Sequence, residues 1–595
     1  MSSDIAAAAK DVDLDWVRQK YRAEREKRLH PAGARQYRRI TEELAHYVDD
    51  PYTPVQEREP VTDLVEVTVI GAGFGGLLIG ARLRQAGVDD IRIVEQGGDV
   101  GGTWYWNRYP GAACDTESYI YMPLLEETGY IPTEKYAKGP EIREHAQRIA
   151  RHFDLYRNAL LHTAVTDVRW DEDEKVWVVS TNRGDRFRTR FLAMTTGPMS
   201  KPKLPGVPGI EEFEGRAFHT TRWDYEYTGG DSSGDLANLH DKRVAIVGTG
   251  ATGIQCIPHL ARSAQHLYVF QRTPSAINVR ANRPTDPAWA ASLEPGWQRQ
   301  RMENFSTFVA GGDAETDLVN DGWTAIYRLR SLGNGVLDER EDFVKMEEIR
   351  ARVDSIVRDA QTAEALKPWY RALCKRPCFH DEYLDAYNRP NVTLVDTLGR
   401  GIERITPRGV VANGVEHEVD CIIFASGFQM GGALRRRVGY DAVGVGGLTL
   451  TEKWKEGIST FFGMQTSRFP NFFIVQISQT GVSSNQTHVL DVQSRHIAFV
   501  VSEARARRAV TVESTDEAES AWVQECISSS RANIDFLLSC TPGYYNNEGQ
   551  PTLEGFQRNG AYSPGIVAFD RKLEAWRADP QLPGLVFTRA EELVA

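Results

Sequence analysis

The chain has 595 residues, a formal net charge of −12 and 26% charged residues. At about 150 residues per domain this length predicts three or four units and excludes a single small module. Lys and Arg are scattered, which excludes the basic footprint of a nucleic-acid or anionic-membrane partner, and no stretch approaches the roughly 20 apolar residues of a membrane span.

The chain starts MSSDIAAAAKDVDLDW, without a basic region followed by an apolar one, so it reads as cytoplasmic with small molecules as partners. Residues 1–60 are highly charged, and WVRQKYRAEREKR and YRRITEELAHYVDD predict two amphipathic helices. This arm has three readings: it covers an active-site face, docks a second subunit or caps the domain that follows. PYTPVQEREPVTD breaks the helical pattern, and a strong strand begins at Val65.

From there the order strand, Gly-rich turn, helix, strand appears, and it returns near Val244. The fold class is therefore α/β, with two doubly wound, Rossmann-like dinucleotide-binding domains, an inserted helical subdomain and an N-terminal helical arm. The first domain is expected at 61–212, ending in the Pro-rich connector KPKLPGVPGIEEF, and the second at 213–283. A helical insertion rich in Trp, Arg and Glu follows at 284–366, and the second domain resumes at 367–390. The first is expected to resume at 391–540, where DCIIFASGF reads as a buried strand returning to the first sheet, before a loop and tail at 541–595.

The first cassette, VTVIGAGFGGLLIGARLRQAG, places Gly71, Gly73 and Gly76 in GxGxxG spacing directly after an apolar strand. The first two glycines allow a tight turn and close approach of backbone to a pyrophosphate, and the third lets helix and sheet pack closely. Glu95, 24 residues beyond Gly71 at the tip of the second strand, is the expected ribose ligand and suits FAD or NAD. The second cassette, RVAIVGTGATG, places Gly248, Gly250 and Gly253, with Thr249, Ala251, Thr252 and Gln255 around the same turn. Arg272 now fills the ribose slot. A guanidinium there clamps a 2′-phosphate that a carboxylate would repel, so the second site predicts NADPH, with Thr273 adding a hydroxyl.

A hydride donor beside a flavin leaves open where the electrons go. A disulfide reductase needs a CxxC pair, and the seven cysteines contain none. With no export signal they read as free thiols, and the CxxxC of Cys374 and Cys378 fits no common zinc pattern, so no metal is expected. An electron carrier has no need of its own NADPH site. A monooxygenase uses both.

Phe213, Gly215, His219, Trp223 and Asp224 form FxGxxxHxxxWD, and here the sequence resembles the Baeyer–Villiger monooxygenases, matching their fingerprint at every fixed position. Related N-hydroxylases and flavin-containing monooxygenases generally carry Tyr or Phe in place of Trp223. The resemblance covers 65 to about 540 and includes GDVGGTWYWNRYPGAACDTES at 98–118, similar to the family's flavin-proximal loop. It implies flavin contacts at Thr103, Trp104, Trp106, Asp115 and Tyr121. The family's catalytic arginine lies in a KR dipeptide, here Lys375-Arg376, and the resemblance implies that Asp115 pairs with Arg376 near the flavin.

The implied activity is conversion of a ketone to an ester or lactone, with NADPH reducing FAD and oxygen adding at flavin C4a to give a peroxyflavin. A guanidinium stabilises an anion without protonating it, which suits Arg376. His219 is expected to couple domains by hydrogen bonding. The family's C-terminal substrate loop often carries a tryptophan, and here it reads SCTPGYYNNEGQP, with Tyr544 or Tyr545 in that place. With the N-terminal arm, this resembles the longer members that act on macrocyclic ketones or in polycyclic sesquiterpenoid pathways such as pentalenolactone biosynthesis. Oxidation at sulfur or nitrogen, and an NADPH oxidase or flavin-binding scaffold without productive oxygen transfer, are the alternatives.

Overall fold

A computed structural model describes residues 13–38, 40, 42–199, 201–332, 338–430, 434–531 and 533–593. The first sheet runs Ala442–Val443, Val165–Asp171, Val176–Thr181, Arg186–Met194, Leu64–Ile70, Ile91–Val94, with Phe472–Ile474 also on Arg186–Met194. Leu64–Ile70 is parallel to both neighbours, so its C-terminal end delivers Gly71 to the crevice where such sheets bind ligands. Helix Phe74–Gln85 follows directly and is buried on nearly every face, because the sheet lies on one side and helix Gln486–Ala506 on another.

The second sheet has five parallel strands in the order Val392–Asp396, His266–Gln271, Arg243–Val247, Cys421–Phe424, Arg216–His219. This corrects one expectation: the CIIF strand pairs Cys421 with Val244 and with Arg216, so it completes the second sheet and does not return to the first. A four-residue apolar strand, buried at every position, has no pattern that distinguishes one parallel sheet from another. The chain comes back to the first sheet later, at Ala442–Val443 and Phe472–Ile474.

The insertion is helical as expected, with helices Pro287–Ala291, Trp297–Val309, Gly322–Leu332, Glu339–Ile356 and Ala360–Leu366. The arm differs. Leu14–Glu26 is an α-helix capped by Asp13, but the second expected helix is replaced by 3-10 turns at Gly33–Gln36 and Glu42–Tyr47 around strand Tyr37–Arg38. That strand pairs antiparallel with Leu204–Pro205, while Leu44 and Tyr47 join the core under the second sheet, so tertiary pairing overrides local helix propensity. Residues 1–12 of the predicted arm lie outside the described residues.

The tail also folds further than a loop. Helix Ile566–Arg577 places Ile566, Phe569 and Leu573 in the core shared with Leu77, and Leu585–Arg589 pairs with Ala509–Ser514. A second correction concerns the thiols: Cys374 and Cys540 form a disulfide across 166 residues, whereas Cys114, Cys256, Cys378, Cys421 and Cys526 are free and buried. Local spacing carries no signal for a pair so far apart in the chain.

Candidate active site

Both glycine turns open on one cavity of about 2000 Å³ between the sheets. Gly71 (φ +103°) and Gly248 (φ +115°) sit in the left-handed region that favours glycine. A Cβ on Gly76 would lie 1.9 Å from the Gly71 carbonyl, and one on Gly253 2.4 Å from the Gly248 carbonyl, so each third glycine packs its helix onto its own turn. Gly73 and Gly250 line the cavity, and a Cβ on Gly250 would meet nothing within 4 Å, leaving room for a pyrophosphate at the helix N-terminus. The residues present therefore fit two dinucleotides.

Glu95 lines the cavity at 7% exposure, and its carboxylate accepts hydrogen bonds from the Ala72 and Gly97 N–H groups, both at 2.7 Å. Burial raises its pKa against those donors. Each oxygen keeps a second lone pair for a ribose hydroxyl. Thr103, Trp104, Trp106 and Tyr121 line the same cavity, with Trp104 donating from Nε1 to the Tyr121 hydroxyl at 3.0 Å.

Across the cavity, Arg272 and Thr273 follow strand His266–Gln271. The Thr273 hydroxyl is buried with no hydrogen-bond partner among the described residues, as expected of a group awaiting a ligand. Thr249 donates from its hydroxyl to the Thr273 carbonyl at 3.1 Å, and with Ala251 and Thr252 it lines the turn. Gln255 reaches back to the flavin-side loop, donating to the Ala113 carbonyl and accepting from the Tyr109 hydroxyl, each at 2.9 Å.

Lys375 and Arg376 line the wall between the two sites. Arg376 donates through Nη2 to Asp115 Oδ1 at 2.7 Å and through Nη1 to Oδ2, a bidentate pair joining residues 261 apart in sequence. Burial opposes the guanidinium charge, but Asp115 overrides it and lifts the pKa above its usual value, so Arg376 is a fixed cation. Burial beside Arg272 instead pushes the Lys375 ammonium down to about 8.

The fingerprint stands behind the site and does not line it. Trp223 is 1% exposed, donating from Nε1 to the Thr228 hydroxyl and from its backbone N–H to the Tyr52 hydroxyl. Burial, then Arg222, pushes His219 down to about 3, so it is neutral at neutral pH, and its Nδ1 caps Thr221. Gly215 packs where a Cβ would lie 2.5 Å from the Phe213 ring, and Asp224 caps the turn at Tyr227 while pairing with Arg216.

Sequence reasoning missed several cavity residues. From the arm come His30, Gln36 and Tyr37, with Arg272 Nη1 donating to Gln36 Oε1 at 2.8 Å. Lys203 comes from the connector and Glu548 from the C-terminal loop. Tyr544 and Tyr545 also line the cavity, their rings 4.7 Å apart, and the Cys374–Cys540 disulfide ties the start of their loop to the residue before Lys375. His30, Gln36, Tyr37, Lys203 and Glu548 have no local motif, whereas Tyr544 and Tyr545 stand in the loop where the resemblance placed them.

Two dinucleotide cradles facing one cavity with a carboxylate-paired arginine define a nucleotide-linked flavoprotein oxidoreductase. A family described as pyridine nucleotide-disulphide oxidoreductase matches residues 68–307. Neopentalenolactone D synthase of Streptomyces avermitilis is 54% identical over 591 residues, covering 96% of this chain and 99% of that one. A Baeyer–Villiger monooxygenase of Stachybotrys chlorohalonatus is 47% identical over 591 residues, covering 97% and 95%. Among solved structures, the polycyclic ketone monooxygenase of Thermothelomyces thermophila superposes with a TM-score of 0.91 at 38% identity, over 98% of this chain and 100% of that one. The chain belongs to the Baeyer–Villiger monooxygenases, which use FAD, NADPH and O2 to convert a ketone to an ester or lactone.

Proposed function

We propose that this chain oxidises a polycyclic sesquiterpenoid ketone to a lactone in the cytoplasm. The observation that carries the reading is near full-length similarity to neopentalenolactone D synthase. The cavity of about 2000 Å³ supports it, since two dinucleotides and a fused-ring ketone need that room. When bound, FAD reduced by NADPH supplies the activated oxygen.

The chain's own residues then act as follows. The turns at Gly71–Gly76 and Gly248–Gly253 bind the two pyrophosphates, and Glu95 the flavin-side ribose. Arg272, with Lys375 and Thr273, binds the 2′-phosphate. Arg376 stabilises negative charge on the transferred oxygen and on the former ketone oxygen, and it cannot protonate either at neutral pH. Asp115 holds the guanidinium fork in register. Trp104, Trp106, Tyr121, Tyr544 and Tyr545 exclude water from the reacting centre. Trp223 and His219 fix the spacing of the two domains.

The test is NADPH consumption by FAD-loaded protein with and without polycyclic and sesquiterpenoid ketones, with product masses recorded. A gain of one oxygen with lactone formation supports the reading. NADPH loss matched only by hydrogen peroxide across fused-ring ketones, with turnover of small monocyclic ketones, overturns the substrate class.

A further inference from the structure

The second nucleotide site contains an anion of its own. Glu548 is 5% exposed and reaches the cation cluster that faces the ribose of the second cassette. Its Oε2 lies 3.6 Å from Arg272 Nη2 and its Oε1 3.8 Å from Lys203 Nζ. Lys203 in turn sits 3.7 Å over the Tyr37 ring, and Lys375 lines the same wall. Three cations thus converge, and the carboxylate facing them comes from the C-terminal loop.

The geometry of this pairing is loose where the Arg376–Asp115 pair is tight. Asp115 takes two direct hydrogen bonds from one guanidinium, whereas Glu548 Oε2 has no hydrogen-bond partner among the described residues although it is buried. Arg272 meanwhile spends Nη1 on Gln36 and leaves Nη2 toward the carboxylate. Both ion pairs of the carboxylate are long, 3.6 and 3.8 Å, so an anion that reaches the same cations at direct hydrogen-bond distance can take its place.

The turn that presents Glu548 is nevertheless built. Asn546 is fully buried, its Nδ2 donating to the Leu537 and Cys540 carbonyls and its Oδ1 accepting from the Gly543 and Gly549 N–H groups. Asn547 (φ +51°) and Glu548 (φ +55°) are consecutive left-handed residues, a conformation that costs about 1 kcal/mol each for non-glycine residues and persists only where surrounding contacts hold it. Cys540 anchors the near end through its disulfide to Cys374. The ion pairs of Glu548 are among the contacts that hold the far end.

We propose that Glu548 tunes NADPH affinity by competing with its 2′-phosphate for Arg272 and Lys203. The phosphate carries more charge and more acceptor oxygens than the carboxylate, so it takes the cluster, and Glu548 must leave it. Displacement removes the support for the left-handed pair at 547 and 548 and frees the turn carrying Tyr544 and Tyr545, which line the cavity with Arg376. A dinucleotide without a 2′-phosphate has nothing to exchange with Glu548. The residue thereby lowers affinity for the phosphorylated cofactor alone, and it links arrival of the 2′-phosphate to the loop over the substrate. This inference rests on the assignment of Arg272 as the 2′-phosphate ligand.

The experiment is equilibrium binding of NADP+ and of NAD+ to the full-length FAD-loaded protein, followed by flavin absorbance, for the wild type and for Glu548→Gln, Glu548→Ala and Arg272→Ala. Removing the competing charge is expected to tighten NADP+ binding by about tenfold, the order of one partly buried charge contact, in both Glu548 variants. NAD+ affinity stays at the wild-type value. Weaker or unchanged NADP+ binding in both variants overturns the proposal, and so does an equal tightening of NAD+. Arg272→Ala separates the two levels: if it leaves the NADP+ to NAD+ ratio unchanged, the site assignment itself fails. If the ratio collapses in Arg272→Ala while the Glu548 variants bind as wild type, only the role of Glu548 falls.

Discussion

Replacing Arg376 tests the reaction chemistry most directly. Two of the five guanidinium N–H groups are committed to Asp115, which leaves three donors on a residue that lines the cavity. Loss of one preorganised donor to a developing oxyanion costs about 2.7–4 kcal/mol, or about 100- to 1000-fold in kcat. The Arg376 side chain is 34% exposed, so solvent screening places the expected loss for Arg376→Ala at the lower end of that range. Arg376→Lys keeps a charge but cannot hold both Asp115 oxygens with a fork, so its activity falls between wild type and Ala. Arg376→Ala also strands Asp115, which is 11% exposed, at a stability cost of about 1–3 kcal/mol that Asp115→Ala in the same chain relieves. The assay is lactone formation per NADPH consumed, with hydrogen peroxide and bound FAD measured in parallel. Lactone formation by Arg376→Ala within about tenfold of wild type, at full FAD content, refutes the assignment.

Four further outcomes are expected. If Lys375, held down to about 8, is a 2′-phosphate ligand as proposed, it binds only when protonated and the phosphate raises its pKa, so binding takes up a proton. NADP+ affinity is therefore highest below about pH 8 and falls by up to about tenfold per pH unit above it, a dependence that calorimetric titration finds absent in Lys375→Met. Gly76→Ala sets a Cβ 1.9 Å from the Gly71 carbonyl, so the helix must shift and purified protein carries less FAD, read from the ratio of flavin to protein absorbance. Cys540→Ser opens the cross-link over 166 residues and lowers stability by about 5 kcal/mol on chain-entropy reasoning; thiol reductant lowers the melting temperature of the wild type but not of the variant. Trp223→Phe loses the Nε1 bond to Thr228, worth about 1 kcal/mol, and raises hydrogen peroxide released per NADPH while NADP+ affinity holds.

The parts of this molecule that were legible in the sequence are those where one backbone constraint selects one residue. Gly71 and Gly248 adopt left-handed φ beside a parallel strand, and only glycine does this cheaply, so both cradles stand out in a single chain. Arg272 was legible by its slot after the second strand. The Arg376–Asp115 pair was legible through family resemblance alone, since its partners are 261 residues apart and a KR dipeptide has no local meaning. The rest depended on tertiary pairing. Nothing in YRR announces a strand against Leu204–Pro205, and nothing in NNEG announces a carboxylate aimed at Arg272. The CIIF strand shows the same limit in a sheet: its apolar character predicted burial, while register against Arg243–Val247 decided which sheet buried it.

These late-found contacts share a location. Gln255 ties the second cassette's helix to Ala113 and Tyr109; Tyr52 from the arm accepts from the Trp223 N–H and stacks under the Arg108 guanidinium, 4.1 Å from its ring. Tyr225 donates to the Arg108 carbonyl. Each links the flavin-side loop at 103–115 to the second domain, and Tyr52, Trp223 and Tyr225 do not line the cavity. Transfer of hydride and then of oxygen needs reacting atoms held about 3–3.5 Å apart, and a misplacement of about 1 Å costs about 100-fold. Tyr52, Trp223 and Tyr225 stand between the loop that lines one cradle and the sheet that carries the other, so a fingerprint outside the cavity is placed to bear on that spacing. The cavity's outer wall, by contrast, is built from the arm at His30, Gln36 and Tyr37 and from the loop at Tyr544, Tyr545 and Glu548. Loops and appended segments change without disturbing the sheets, so this wall is where such a scaffold adapts to a particular ketone while its oxygen chemistry stays fixed.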